Sequence, residues 1–175
     1  MVQHPWHEVK VGNNPPELVN AIIEIPRGSK AKYEIDKESG LIKLDRVLFA
    51  SMYYPLNYGF IPQTLGEDHD PLDIVVLTQV EVVPRCLIPC RVIGVMQMID
   101  RGEADDKIIA VAEEDPSVSF INDVKEVPDY LMMELKHFFE NYKTLENKKV
   151  VVDEILPKEK AQEIILQSME RYQVN

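Results

Sequence analysis

The stretch CRVIGVMQMIDRGEADDKIIAVAEED, residues 90–115, decides the architecture. Two apolar runs, CRVIGVMQMID (90–100) and KIIAVAEED (107–115), flank the turn-like DRGEADDK with its Gly102, which reads as two strands joined by a short reversal. A third run, DIVVLTQ (73–79), is equally apolar. Upstream, NAIIEIP (20–26), AKYEID (31–36) and LIKLDRVLF (41–49) are split by Arg27-Gly28-Ser29 and Glu38-Ser39-Gly40, the pattern of an antiparallel meander. SMYYPLNYGFIPQTLG (51–66) carries Pro55 and Pro62, which have no N–H for a central ladder, so it reads as an aromatic loop with a short strand inside.

Downstream the period changes. In 128–146, Leu131, Leu135, Phe138, Tyr142 and Leu145 recur every three or four residues, and Pro128 suits a first helical position. In 157–173, Ala161, Ile164, Ile165, Ser168 and Tyr172 form one face after Pro157. Strands first and helices last predict an α+β domain or a small barrel with helices outside, as a single domain over 1–175.

The 175 residues are 45% hydrophobic, enough for a core of ordinary size. Nineteen Lys and Arg against thirty Asp and Glu give a net charge of −11, which argues against nucleic acid or an anionic membrane as partner. No run approaches the roughly 20 apolar residues of a membrane span, and MVQHPWHEVKVG lacks the features of a secretory signal. The expected location is the cytoplasm. Cys86 and Cys90 are about 13 Å apart on an extended chain, beyond the roughly 7 Å limit of a disulfide, and are expected to be reduced.

Charge concentrates just ahead of DIVVL, where Glu67, Asp68, Asp70 and Asp73 fall within seven residues. Carboxylates this close repel unless water or a shared cation separates them. In an extended segment, which Pro71 favours, Asp68 and Asp70 project together and His69 points away. Asp73 then opens the strand. Such a convergence of hard oxygens suits Mg²⁺, and a solvated turn is the alternative. The spacing excludes an EF-hand loop: counted from Asp68, the sixth position is Asp73 and the twelfth Gln79. A phosphatase nucleophile would follow a buried strand rather than precede one. A second acidic set, Asp100, Asp105 and Asp106, flanks the turn at Gly102. Lys32, Glu34 and Asp36 share one face of AKYEID, Glu24 interrupts AIIEIP, and Arg46 follows Asp45. Surface ion pairs would explain these equally, and periodicity makes Tyr142 a core residue.

In order along the chain, IEIPRGSKAKYEID, the Asp45-Arg46 pair, YPLNYGFIPQTLGEDHDPLDIVVL, GVMQMIDRGEADDKIIAV and HFFENYKTLENKK together resemble soluble family I inorganic pyrophosphatase over roughly residues 15–155. The central stretch is similar to the family signature D-x-D-P-hydrophobic-D-hydrophobic. The resemblance implies a β-dominated α+β fold, a five-stranded OB-like barrel with additional strands and two C-terminal helices. It also implies Mg²⁺-dependent hydrolysis of pyrophosphate by direct attack of a metal-activated water, without a phosphoenzyme. Several Mg²⁺ ions are implied, with Mn²⁺ or Zn²⁺ as substitutes.

Residue by residue, the resemblance makes Asp68, Asp73 and Asp105 ligands of one ion, with Asp73 reaching a second. Asp100 and Asp105 become ligands of an ion arriving with substrate. Asp70 becomes the general base, Glu34 a direct or water-mediated ligand, and Glu24 a further cavity residue. Lys32, Arg46, Tyr58, Lys107, Tyr142 and Lys143 match phosphate-binding positions, reversing the periodicity reading of Tyr142. His69 departs from the Gly, Ser, Asn or Asp usual there; it reads as a surface histidine, or as a nitrogen ligand shifting metal preference toward Zn²⁺ or Mn²⁺. His4 and His7 are expected to be structural or disordered. A homo-oligomer, often a hexamer in the family, is implied. The competing class is a non-enzymatic divalent-cation-binding module, which leaves Lys32, Arg46 and Lys107 without a purpose.

Overall fold

A computed structural model describes residues 4–174. Strands β1 (Leu18–Ile25), β4 (Asn57–Phe60), β5 (Asp73–Leu77), β8 (Lys107–Ala112) and β6 (Leu87–Asp100) hydrogen-bond in that order, and β6 pairs back onto β1. The sheet thus closes on itself as the expected five-stranded barrel, which removes the open edges a flat sheet would expose. All neighbours are antiparallel except β5 and β8. β2 (Ala31–Ile35) and β3 (Ile42–Val47) form a separate hairpin.

Closure requires a long strand, and β6 supplies it with 14 residues. It starts at Leu87, three residues before the expected Cys90. Leu87–Arg91 pair with β1, Cys90–Met96 with β8, and the far end carries β7 (Glu103–Ala104) and β9 (Val150–Pro157). β9 is absent from the sequence reading. Its alternation, buried Val150, exposed Val151 and buried Val152, is only a few residues long and lies between two helical patterns.

The apolar runs serve two cores at once. On β5, Ile74 and Val76 join a cluster with Ala161, Ile164 and Ile165 of α2 (Lys158–Val174), whereas Val75 and Leu77 join one with Leu135, Phe138 and Phe139 of α1 (Asp129–Asn141). Successive strand side chains point to opposite faces, and both faces are covered, so DIVVL and KIIAVA are continuously apolar. A third cluster gathers Trp6, Ile22, Ile35, Phe60 and Leu65.

Three helix expectations need correction. Pro128 is the N-cap of α1 rather than its first residue, and α1 ends at Asn141 instead of 146. Leu145 is exposed. The chain leaves the helix at Lys143, makes a 3₁₀ turn over Thr144–Glu146, and reverses through Asn147 at φ 56°, a left-handed conformation asparagine tolerates. α2 buries Ala161, Ile164, Ile165 and Ser168 as expected. Cys86 and Cys90 are free thiols.

Candidate active site

One end of the barrel and the β2–β3 hairpin enclose a cleft of about 850 Å³. Parallel register places Asp73, the first residue of β5, beside Lys107, the first residue of β8. The Lys107 ammonium lies 2.5 Å from Asp73 Oδ2 and 2.5 Å from Asp105 Oδ1, and its side chain is 2% exposed. Burial works against that charge, but Asp105 and Asp73 outweigh it and push the Lys107 pKa well above the ordinary lysine value. Burial lifts Asp73 to about 7 against the pull of Lys107. Burial also opposes ionisation of Asp105, but the charge and hydrogen bond of Lys107 prevail and hold it below the usual carboxylate range.

The acidic loop is a turn, which corrects the extended geometry expected of it. Asp68 Oδ1 accepts the Asp70 N–H at 3.1 Å, and the Gly66 N–H donates to Asp70 O at 2.7 Å. His69 lies at φ 66°. In that left-handed region Gly, Asn and Asp are favoured and His is also enriched, so the backbone explains why a histidine fits where small or amide residues are usual. His69 is exposed and does not line the cleft, so the structure gives it no ligand role. Burial raises the Asp68 pKa, partly offset by the Asp70 N–H. Asp70 is exposed, and its Oδ1 is ion-paired with Lys37 of the hairpin loop.

The hairpin supplies the opposite wall. Register aligns Lys32 with Arg46. Lys32 Nζ is 3.0 Å from Asp45 Oδ2 and 3.4 Å from Glu34 Oε2, and Arg46 Nη1 is 2.6 Å from Asp45 Oδ2. Glu146, 3% exposed, approaches Arg46 Nε at 2.9 Å. That approach lacks hydrogen-bond geometry, so Arg46 Nε and Nη2 remain buried without an acceptor, as does Glu146 Oε2 without a donor. Glu24 is buried, and its Oε1 accepts the Ile35 N–H at 2.6 Å. Burial lifts its carboxyl to about 8, with the Ile35 bond opposing.

From the third side, Lys143 ion-pairs with Asp100 Oδ2, leaving Asp100 Oδ1 buried and without a partner. Burial lowers the Lys143 pKa against that pairing. Tyr58 and Tyr142 line the cleft, and burial pushes both hydroxyls upward, so they are protonated donors near neutral pH. Tyr142 also packs on Phe138 and Phe139. It is a core residue and a cleft residue at once.

All thirteen site residues that the resemblance implies, Glu24, Lys32, Glu34, Arg46, Tyr58, Asp68, Asp70, Asp73, Asp100, Asp105, Lys107, Tyr142 and Lys143, line this one cleft. Asp106 does not. It faces a neighbouring cavity of about 320 Å³ under α2, with Asp153 and Lys160. Three contributors have no role in the sequence reading: Asp45, which bridges Lys32 and Arg46; Glu146, behind Arg46; and Lys37, on Asp70. Asp45 adjoins Arg46 in sequence and was legible. Glu146 and Lys37 reach the site only through tertiary contacts. His4 and His7 are structural: a His4 ring nitrogen meets Lys37 O at 3.1 Å and His7 meets the Tyr172 hydroxyl at 2.8 Å.

Eleven carboxylates and seven cations line the cleft, so it is net negative. Among the described residues, no three His, Cys, Asp or Glu side chains are grouped closely enough to hold a metal ion as they stand. The donor set nevertheless fits hard divalent cations: the ligands offered are carboxylate oxygens, and Asp100 Oδ1 is a buried acceptor with nothing bound to it. Unmet Arg46 donors fit a phosphate group equally well.

A family profile described as inorganic pyrophosphatase matches residues 21–173. The soluble inorganic pyrophosphatase of Oryza sativa subsp. indica is 54% identical over 169 residues, covering 97% of this chain and 79% of that protein. Soluble inorganic pyrophosphatase 1 of Arabidopsis thaliana is 51% identical, covering 97% and 80%. Among solved structures, inorganic pyrophosphatase from Thermus thermophilus superimposes with a TM-score of 0.91 at 42% identity, covering 94% of this chain and 97% of that one. The Helicobacter pylori enzyme gives 0.90 at 38%, covering 95% and 99%.

Proposed function

Since the chain belongs to the soluble inorganic pyrophosphatase family, whose members are metal-dependent hydrolases of pyrophosphate, we propose that this cleft performs that hydrolysis with Mg²⁺, using the residues above in distinct roles. The observation that carries the assignment is the pair of unmet groups among the residues lining the cleft, the N–H donors of Arg46 and the carboxylate oxygen of Asp100. Pyrophosphate with Mg²⁺ satisfies both.

Asp68, Asp73 and Asp105 would hold one ion, with Asp73 reaching a second; Asp100 and Asp105 would hold an ion arriving with substrate, aided by Glu34 directly or through water. Bound Mg²⁺ would offset the charge of the phosphoryl oxygens and make the attacking water more acidic. Lys32, Arg46 and Lys143 hold the phosphates, with the Tyr58 and Tyr142 hydroxyls donating to their oxygens. Lys107 is a further phosphate-binding residue, and its ion pairs keep Asp73 and Asp105 aimed into the cleft. Asp70 takes the proton of the attacking water at Oδ2, the oxygen its ion pair with Lys37 leaves open. Its exposure leaves room for that water beside it. Glu24 is a supporting residue: through Ile35 it fixes the strand carrying Lys32 and Glu34.

A non-enzymatic cation-binding module is not favoured, because it gives no use to buried guanidinium donors. Among the described residues no helix is long and apolar enough to cross a membrane. The reading includes a cytoplasmic location and a homo-oligomer, often a hexamer in the family, and exposed Leu44, Val47, Phe49 and Tyr53 support the oligomer. The family match over 21–173 supports one pyrophosphatase domain over 1–175. The test is phosphate release from pyrophosphate: turnover with Mg²⁺ and none in chelator is expected, and Mg²⁺-independent turnover or none at all overturns the assignment.

A further inference from the structure

Six of the seven cations lining the cleft are each tied to a carboxylate: Lys32, Lys37, Arg46, Lys107, Lys143 and Lys148. The seventh is Arg101. Among the described residues it has no carboxylate within ion-pair distance, although the cleft is crowded with them and the protein is strongly acidic. Arg101 is therefore the one cleft cation whose charge is not already shared with a carboxylate, so it meets an incoming anion without first giving up an ion pair.

Its backbone is equally distinctive. Asp100 pairs with Glu103, so Arg101 and Gly102 form a two-residue hairpin loop, with φ of 53° and 83°. Two successive positive φ values describe the tight hairpin turn in which Asn-Gly or Asp-Gly is cheapest. A long side chain without local hydrogen bonding is disfavoured at the first position, and such strain tends to persist where a site uses it. The turn fixes Arg101 directly beyond Asp100, next to the Asp100–Lys143 pair, at the mouth of the cleft.

We propose that Arg101 is a further substrate-binding residue, a phosphate contact at the cleft mouth that captures the pyrophosphate anion as it enters. The proposal rests on the pyrophosphatase reading of this cleft. Its guanidinium offers a fork of N–H donors to one phosphoryl group, and its uncompensated charge draws the anion toward a wall whose other cations are already engaged. Because it lies at the rim, it contributes to binding and capture more than to the chemical step.

The test compares Arg101→Asn with Arg85→Asn. Asparagine suits a left-handed backbone, so neither change should impair folding. Arg85, exposed at φ 70° and outside the cleft, controls for the lost charge. For Arg101→Asn, KM for pyrophosphate should rise about 3- to 10-fold at low salt while kcat changes less than about twofold; Arg101→Lys should recover part of the loss, and the KM difference should shrink in 0.5 M salt. Arg85→Asn should leave KM unaltered. An unaltered KM in Arg101→Asn, or an equal rise in both variants, overturns the role. Binding of the non-hydrolysable analogue imidodiphosphate with Mg²⁺, followed by calorimetry, separates the two readings: if the parent protein shows no turnover, weaker analogue binding in Arg101→Asn still upholds the anion contact, and equal binding refutes it.

Discussion

Glu24 offers a quantitative handle on the cleft's electrostatics. It is 6% exposed, and burial holds its carboxyl at about 8, against about 4.3 for a glutamate in an unfolded chain. The native state therefore keeps a proton that the unfolded state releases. With a raised carboxyl pKa the sign is opposite to that of a salt-bridged acid: this group's contribution is most favourable below about pH 4.3, and it declines as pH rises toward 8. From pH 5 to pH 8 the linkage relation gives a loss of about 3.5 kcal/mol for this one group. Glu24→Gln keeps an oxygen to accept the Ile35 N–H but does not titrate. Urea unfolding of the metal-free protein and of the variant, from pH 5 to 8 in chelator, reads the effect as a difference; Asp73, whose charge helps raise Glu24, titrates in the same range, so the difference reports Glu24 together with its coupling to Asp73. The variant should gain about 3.5 kcal/mol on the parent across that range. Parallel stability curves refute a neutral, buried Glu24.

Two further outcomes follow from the ion pairs. Asp70→Asn should bind Mg²⁺ nearly as tightly as the parent by calorimetry and lose about 10²–10⁴ in kcat; an unimpaired rate removes Asp70 from the role of base. Lys107→Met leaves Asp73 and Asp105 buried without their cation, which should cost about 3–5 kcal/mol. Saturating Mg²⁺ should raise the thermal midpoint of that variant more than that of the parent, since the ion then faces no competing ammonium. Equal Mg²⁺ shifts in both proteins argue that the ion binds elsewhere.

What was legible locally was also what local physics decides. Alternation and continuous apolar runs marked β1, β5, β6 and β8, the i, i+4 faces marked both helices, and the acids flanking DIVVL and KIIAV stood out because charge beside a buried strand needs a reason. β9 was lost because three valines between two helical patterns are too short for a period of two to register. The turn at Asp68–Asp70 was misjudged as extended, since Pro71 restricts only the residue before it and says nothing about His69.

By itself, the sequence determined the barrel strands, the existence of both helices, and which residue types are available for metal and phosphate chemistry, because periodicity and turn chemistry act over a few neighbours. Tertiary structure alone decided that β6 returns to β1, that parallel β5 and β8 bring Asp73 alongside Lys107, that Glu146 stands behind Arg46, and that Arg101 is left unpaired. These contacts join residues 34 to 100 positions apart along the chain, where what selects a partner is the register of a closed sheet and the burial it permits, and neither is written in any short window of residues.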